Sequence, residues 1–289
     1  MVKRLRFILP FCFTLIAAGG SVSFRKANTL TAPSCQGIIN QTIVAIDNIR
    51  TLRYHLVINE RIKGVLKRGE SLGKFNRNPR KIYLNLKGPE VLWVAGTNSG
   101  NALVNPNGFP YIDLNLDPMG SLLRENQHHT LHEVGFDYYA DVLRYSLKFA
   151  GAKFDTYFKL LPDVTWNGRA CYSVKAEYPE FKYVDYTVKK GEDLIKISRA
   201  LFVSEYMVRE ANADKVSDYY NVHEGQVIKV PIIYGKKTEL LVDKQLMLPI
   251  VIKVYDDAGL FESYEYDKIE VNVPIADEEF TKSYKDYHF

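Results

Sequence analysis

The chain has 289 residues, of which 46% are hydrophobic and 25% charged, a composition typical of globular proteins that bury a core. Its formal net charge is only +4, and no dense run of Lys and Arg follows the N-terminus, so nucleic-acid binding has no electrostatic basis. The 20 Tyr and 15 Phe are a high aromatic content, and aromatic residues favour β-strands.

The N-terminus has the three parts of a secretory signal peptide. Basic residues at positions 3, 4 and 6 precede the apolar run 7–18, and small residues follow it. This run is shorter than the ~20 residues that cross a bilayer as a helix. We therefore predict a signal peptide over residues 1–22, with an uncleaved anchor as the alternative.

Signal cleavage also removes Cys12, so the exported chain keeps Cys35 and Cys171. An oxidising compartment allows a disulfide between these two residues. The alternative is two separate buried thiols, and both states remain open from the sequence.

Alternating apolar residues predict long antiparallel strands. A short helical region at 43–48 leads into LRYHLVINERIKG, where the apolar side chains at 52, 54, 56 and 58 share one face. KIYLNLKG and EVLWVAG repeat the pattern, and clusters of Gly, Asn and Pro separate these strands as turns. LPIVIKVYDDAGLFESYEYDKIEVNV predicts a hairpin whose turn is at 256–259. We expect one sheet interrupted by an inserted unit.

The middle of the chain, residues 118–151, has few β-branched residues and apolar positions at helical spacing. This pattern predicts one or two helices, broken near Gly135 and ended by Gly151.

Within this region, HHTLHEVG is the stretch that most resembles a catalytic or metal site. In a helix, His128 and His132 would share one face at the spacing of two zinc ligands, with Asp137 as a candidate third ligand. The HExxH motif is absent, because Glu133 follows the second His rather than the first. The alternative is a polar lid whose histidines, including His129, face solvent or form hydrogen bonds across a cavity mouth.

Other catalytic patterns are missing from the sequence. There is no G-x-S-x-G turn, no phosphate-binding Gly loop, and no Cys in a recognisable reactive setting. The acidic pairs 256–257 and 278–279 are interpreted as a hairpin turn and an exposed tail. We therefore predict a protein that is not an enzyme and has no cofactor.

Residues 184–233 predict a strand, two helices and a second strand. The segment carries YTVKK, GEDL, Ile197, the helix cap Ser204 before EYMVREA, and GQVIKVP, all in order. These residues resemble the LysM domain, which binds N-acetylglucosamine glycans such as peptidoglycan in a groove between two loops. The resemblance implies glycan-binding positions at Gly191, Asp193, Leu194, Asn212, Ala213 and Asp214.

Two of these positions depart from the LysM pattern. Residue 193 is Asp where Thr or Ser is usual, and residue 213 is Ala where Pro is common. The loop ADKVSDYYNVHE is also long. The alternative is an insertion that has a structural role and does not bind glycan.

The frame around this unit, residues 23–183 and 234–289, resembles the LolA/LolB-like periplasmic proteins. Its most specific segments are LPIVIKVYDDAGLFESYEY and the ending from DEEF to YHF, which are similar to an uncharacterised Bacteroidota-type family with the same inserted unit. The resemblance implies an α+β fold, a curved antiparallel half-barrel with a helical lid. It also implies a periplasmic location, with at most peripheral contact with a membrane.

In LolA-like proteins the half-barrel holds acyl chains of lipoproteins. The corresponding apolar cavity here would be lined by residues that could equally be packed core: Leu52, Tyr54, Leu56, Leu84, Trp93, Tyr157, Ile252 and Tyr264. We therefore expect a lipid or lipoprotein acyl-chain carrier held near peptidoglycan by its insert. The alternatives are a peptidoglycan-associated structural protein without lipid and a metal-dependent hydrolase built on the histidines.

Overall fold

A computed structural model of the chain describes residues 33–289, and the predicted signal peptide lies outside this range. The helices are α1 (Cys35–Asp47), α2 (Ser121–Arg124), α3 (Asp137–Ala150), α4 (Phe154–Tyr157), α5 (Leu194–Leu201) and α6 (Glu205–Ala211). The strands are β1 (Thr51–Ile62), β2 (Val65–Asn76), β3 (Lys81–Asn85), β4 (Glu90–Val94), β5 (Ala102–Asn105), β6 (Leu114–Leu116), β7 (Phe158–Trp166), β8 (Arg169–Glu177), β9 (Tyr183–Thr187), β10 (Val227–Pro231), β11 (Lys237–Asp243), β12 (Pro249–Asp256) and β13 (Gly259–Val271).

Eleven of these strands form one antiparallel sheet, in the order β6-β5-β4-β3-β2-β1-β13-β12-β11-β8-β7. The first six strands follow one another as a meander, as the sequence predicts. The two halves of the sheet meet where β1 pairs with β13, which sets Glu60 opposite Glu262. The fold is therefore a mixture of α and β structure with a large antiparallel sheet and few helices.

Burial confirms the predicted alternation in β1. Leu52, Tyr54 and Leu56 are buried on one face, whereas Arg53 and His55 on the other face are partly exposed. The pattern did not single out β2, which pairs with β1 along its whole length. Residues 65–71 of β2 extend past the last pair with β3 and are mostly exposed, so this part of the β1–β2 ribbon forms an edge of the sheet.

Helices α1 and α3 pack against each other over the sheet. Helix α1 begins eight residues before the predicted region, because Ser34 caps it by accepting a hydrogen bond from the Gly37 amide at 3.0 Å. The end of α3 at Gly151 is confirmed, and this residue has a φ of +47° that favours glycine.

Strands β9 and β10 pair with each other and enclose α5 and α6, and we call residues 183–231 the insert. Tyr183 lies opposite Pro231, so the two ends of the insert are side by side, as insertion between strands requires. Ser204 caps α6 as predicted, with its hydroxyl 3.3 Å from the Met207 amide. The insert has its own hydrophobic core: Val188, Leu194, Ile195, Ile197, Val203, Val208, Val216, Tyr219, Ile228 and Val230.

The C-terminal tail packs on the sheet, where Phe280 joins Tyr83 in a third hydrophobic cluster. The expectation of an exposed acidic tail is correct for Glu278 and wrong for Glu279, which is 6% exposed. The Glu279 carboxylate accepts a hydrogen bond from Arg53 at 2.6 Å and lies 2.8 Å from the Lys74 ammonium. Because these two cations are neighbours across β1 and β2, the pairing depends on contacts distant in sequence.

Candidate functional site: a cavity with a buried charged wall

A cavity of about 320 Å³ lies between the sheet and the segment that precedes α3. Four of the predicted lining residues, Tyr54, Leu56, Leu84 and Tyr264, do line this cavity. Its other apolar and aromatic walls are Ile58, Leu86, Val91, Leu123, Leu131, Val134, Tyr139 and Tyr266. Polar residues of the β1–β2 ribbon also contribute, among them Lys67, Arg68 and Glu70.

The other four predicted lining residues belong to packing instead. Leu52 and Ile252 are almost completely buried in the core of the main domain. The Trp93 indole donates a hydrogen bond to the Gly100 carbonyl at 3.0 Å, and the Tyr157 hydroxyl bonds to the Glu180 carboxylate. Alternation identifies the buried face of a strand, but it does not say which part of that face adjoins empty space.

Tyr54 occupies a wall of the cavity because the residue opposite it in β2 is Gly73. A Cβ atom at position 73 would lie 2.1 Å from Tyr54 Cζ, so the ring covers the glycine. Tyr54 also borders a groove of about 300 Å³ that Arg53, His55 and Lys74 line. Tyr54 therefore borders both spaces.

We call residues 117–136 the strap, since they run along the cavity between β6 and α3. Apart from α2 and one 3₁₀ turn at Leu131–Glu133, the strap is not helical. Of the one or two helices predicted, α3 is the long one, and His128 and His132 share no helix face. Asn126 and Gly135 have positive φ values, which are incompatible with a continuous helix.

The strap is held to the sheet by five ionisable side chains, which we call the charged cluster: His128, His129, Glu133, Glu60 and Glu262. The first three come from the strap, Glu60 from β1 and Glu262 from β13.

His128 is the most enclosed member of the charged cluster, with a side chain that is 0% exposed. Its Nδ1 lies 2.8 Å from Glu262 Oε2, and its Nε2 lies 3.1 Å from the Arg61 carbonyl oxygen. Both nitrogens therefore face oxygen atoms of the protein. The ring also stacks between Phe261 and Tyr206, with centroid distances of 4.1 and 4.6 Å.

His129 lines the cavity and bridges two carboxylates. Its Nδ1 lies 3.2 Å from Glu133 Oε2, and its Nε2 lies 3.5 Å from Glu262 Oε2. Burial alone would lower the pKa of His129, but Glu262 and Glu133 raise it well above the ordinary value. Burial likewise works to raise the pKa of Glu262, and His129 and His128 outweigh it, so this pKa is strongly lowered.

Two buried tyrosines satisfy the remaining carboxylate oxygens. Tyr264 donates to Glu60 at 2.5 Å, and Tyr234 donates to Glu262 at 2.9 Å. The Glu60 carboxylate also accepts the His128 amide at 3.1 Å. Every member of the charged cluster is therefore engaged by protein groups.

Glu60 and Glu262 were not among the predicted site residues, although the sequence carries a signal for Glu60. Glu60 falls on the same alternating face of β1 as Leu56 and Ile58, at a position where an apolar residue is expected. A charged residue that points into the core needs a polar partner. Histidines of a polar lid, the alternative given above for HHTLHEVG, are such partners.

The proposed metal set is not brought together. His132 packs edge-on against the Trp93 ring, and burial followed by the charge of Arg80 lowers its pKa. Asp137 pairs with Arg77 and with Arg80, the latter at 3.0 Å. Among residues 33–289, no group of three or more His, Cys, Asp or Glu is placed to hold a metal ion.

The predicted glycan positions divide into buried and accessible groups. Leu194 is 0% exposed, and Asn212 is 1% exposed. The Asn212 amide group donates to the Val208 and Lys229 carbonyls at 2.7 Å each and accepts from the Lys229 amide at 2.7 Å, so it joins α6 to β10. Gly191, Ala213 and Asp214 are exposed, and Asp193 caps α5 through the Lys196 amide.

Cys35 and Cys171 are separate thiols in the structure, which is the second of the two states that the sequence left open. Burial is the main cause that raises the pKa of both thiols, that of Cys35 to about 11. Both cysteines are consequently poor nucleophiles at neutral pH.

No helix within residues 33–289 has the length and apolar character needed to cross a membrane. A family model described as "Protein of unknown function (DUF1571)" matches residues 50–206 and 208–289, and so runs through both the sheet and the insert. No curated protein matches the chain.

Several solved structures are similar in fold at low identity. The MucA/MucB complex of Pseudomonas aeruginosa contains a chain 12% identical over 86% of this chain, with a TM-score of 0.40. The present chain spans only 60% of the matched chain in that complex. The lipoprotein LppX of Mycobacterium tuberculosis is 10% identical with a TM-score of 0.39, and the match covers 85% of this chain and 99% of LppX. LprF of Mycobacterium bovis is 8% identical with a TM-score of 0.38, and the match covers 85% of this chain and 97% of LprF. Likenesses of this degree give no information about function.

Proposed function

The chain belongs to the DUF1571 family of proteins of unknown function, and we propose that it is a non-enzymatic, periplasmic binding protein that holds one hydrocarbon chain in the cavity. The observation that carries this proposal is the cavity itself. Most of its walls are aliphatic and aromatic, while charged side chains line it at Lys67, Arg68 and Glu70 of β2 and in the charged cluster. This distribution suits an amphiphile, whose tail is apolar and whose head is polar.

The size of the cavity favours a single chain. Ligand pockets in proteins have volumes of about 300–1,000 Å³, and the value here, about 320 Å³, is at the lower end of that range. A lipid or lipoprotein with several acyl chains would exceed it, so one fatty-acyl chain is the class of ligand that fits.

The charged cluster supports binding rather than catalysis. A general base needs a lone pair or a proton directed at the substrate. Here the nitrogens of His128 and His129 face carboxylates and a carbonyl of the protein, and Glu262 accepts from several donors. We assign these residues to holding the strap against the sheet.

A single-chain fluorescent probe, 11-(dansylamino)undecanoic acid, tests this proposal. We expect saturable binding to the chain from residue 23 onward, and loss of that binding in Leu84→Trp, where the indole fills the cavity. Leu72→Trp is the matched control, because Leu72 borders the groove that Arg53 and His55 line rather than the cavity. Equal binding by both variants would refute the assignment of the cavity.

The insert supports a second function, LysM-like binding of N-acetylglucosamine glycans such as peptidoglycan. The favouring observation is the strand–helix–helix–strand order with paired outer strands and with Gly191, Ala213 and Asp214 exposed. We expect Ala213→Trp to reduce retention on peptidoglycan, whereas Ala200→Trp, at an exposed position on α5, retains it. Equal retention, or none by the parent chain, would leave the insert with a structural role.

A further inference from the structure

The strap is one segment with two contacts: one side lines the cavity and the other is fixed to the insert. Leu123 lines the cavity, and the next residue, Arg124, points to the insert and is 3% exposed. His129 lines the cavity, and the preceding residue, His128, stacks on Tyr206 of α6.

The strongest of these contacts is an ion pair between Arg124 and Glu205, the first residue of α6. Their side chains are 3% and 4% exposed. Arg199 of α5 also donates to Glu205 at 2.9 Å, and the Arg124 guanidinium lies 3.7 Å from the centroid of the Tyr219 ring. Separating the strap from the insert would leave charged groups without partners in a buried place, which is costly.

A second contact lies at the start of the strap. Met119 packs against the hydrophobic core of the insert, and its carbonyl oxygen accepts a hydrogen bond from the Tyr220 hydroxyl at 3.0 Å. Tyr220 is half-exposed and belongs to the long loop between α6 and β10. This loop is one of the features in which the insert departs from the LysM pattern.

We propose that the insert is a latch for the strap and thereby sets how fast the cavity opens. The inference rests on the proposed function, because it assumes that the cavity beneath the strap takes up a ligand. An outward movement of Leu123 and His129 displaces Arg124 and His128, which follow or precede them directly in the chain. The strap therefore opens only when its contacts with α6 and with the loop after α6 break.

The double variant Arg124→Met, Glu205→Gln removes the ion pair without leaving either charge unpartnered. We expect the association and dissociation rate constants of the dansyl probe each to rise about tenfold, which corresponds to the loss of one net polar interaction. The dissociation constant, which is the ratio of the two, should change little. Arg169→Met is the matched control, since it removes a guanidinium from the buried Asp243, and neither residue lines the cavity.

Amide hydrogen exchange of residues 117–136 gives a readout that does not depend on any ligand. The latch predicts faster exchange across the strap in the double variant and unchanged exchange there in Arg169→Met. A folded double variant whose strap exchanges at the parent rate would overturn the latch. Faster strap exchange without any probe binding by the parent chain would instead overturn the proposed function and leave the latch standing.

Tyr220→Phe covers the case in which the double variant does not fold. This change removes only the hydroxyl that bonds to the Met119 carbonyl, at a half-exposed position. We expect exchange of the amides next to Met119 to rise by a few fold. Parent-like exchange in Tyr220→Phe would contradict the latch at this contact.

Discussion

The His128 imidazole contacts the Glu262 carboxylate with 2.8 Å between Nδ1 and Oε2, and neither side chain is exposed to solvent. The pair connects the strap to β13, and the imidazole is enclosed by aromatic rings on both faces. Glu262 also lies 3.5 Å from His129 Nε2, so removing its carboxylate takes a buried partner from both histidines.

The substitution Glu262→Gln should lower the free energy of unfolding by about 3–5 kcal/mol, the range for breaking one side of a buried ion pair. The double variant His128→Phe, Glu262→Met should recover part of this loss, because Phe can stack in the place of the imidazole and His129 keeps Glu133 as a carboxylate partner. Urea denaturation of the three proteins measures both effects. A loss below about 1 kcal/mol in Glu262→Gln would show that the pair does not stabilise the fold.

The charged cluster also predicts that stability falls at both acidic and alkaline pH. The folded pKa of His129 is raised, so its contribution is present below the unfolded value of 6.5 and is lost as pH rises through the folded pKa. The folded pKa values of Glu262 and Glu133 are lowered, so their contributions are present above 4.5 and are lost as pH falls.

In His129→Gln, the alkaline decline in the melting temperature should become shallower. His223→Gln is the control, because His223 is exposed in the insert. Melting temperatures measured at intervals from about pH 4 to pH 10 give the comparison. The same alkaline slope in both variants would contradict the role assigned to His129.

The C-terminal tail should detach in acid because of Glu279. Burial alone would raise the pKa of this carboxyl, but Arg53 and Lys74 hold it at about 2. The stabilising contribution is therefore complete above the ordinary value of 4.5 and is lost between that pH and about 2. The near-ultraviolet signal of the stacked Tyr83 and Tyr287 rings, whose centroids are 3.7 Å apart, should disappear over this range.

Glu279→Gln should weaken the tail already at neutral pH and flatten its dependence on acid. Glu278→Gln, one residue earlier and exposed, should behave like the parent chain. If the two variants had the same acid profile, the ion pairs of Glu279 would not be what holds the tail.

Gly73→Ala should destabilise the protein by about 1–3 kcal/mol, because the new methyl group would overlap the Tyr54 ring. Gly69→Ala is the control on the same strand, where a Cβ atom meets nothing within 4 Å. This control should be neutral or slightly stabilising, since Ala fits a strand better than Gly does. Equal stability of the two variants would argue against the position of the Tyr54 ring.

Local patterns were enough to predict much of the sheet and the order of elements in the insert. The alternation in β1 and the hairpin of β12 and β13 follow from side chains within single strands. Strand β2 was missed because Gly69, Gly73 and its exposed half break the alternation. The predicted helix at 43–48 is shorter than α1, because the prediction did not include the cap at Ser34.

The site was harder to predict because its contacts join distant parts of the chain. Glu60 and Glu262 lie opposite each other across β1 and β13, and His128 reaches both carboxylates from the strap. The helix that would align His128 and His132 does not form, since these long-range bonds outweigh local helix preference. Likewise, the sequence cannot separate Tyr54, beside the cavity, from Leu52 in the packed core.

The central claim is tested most directly by native mass spectrometry. The protein is expressed with its signal peptide, the chain from residue 23 onward is purified, and its mass is measured before and after solvent extraction. We predict a bound species with a mass matching one molecule with a single acyl chain, which is released on extraction and absent from Leu84→Trp. A parent chain that has only the mass of the protein, and that also fails to take up the dansyl probe, would contradict a hydrocarbon-binding function.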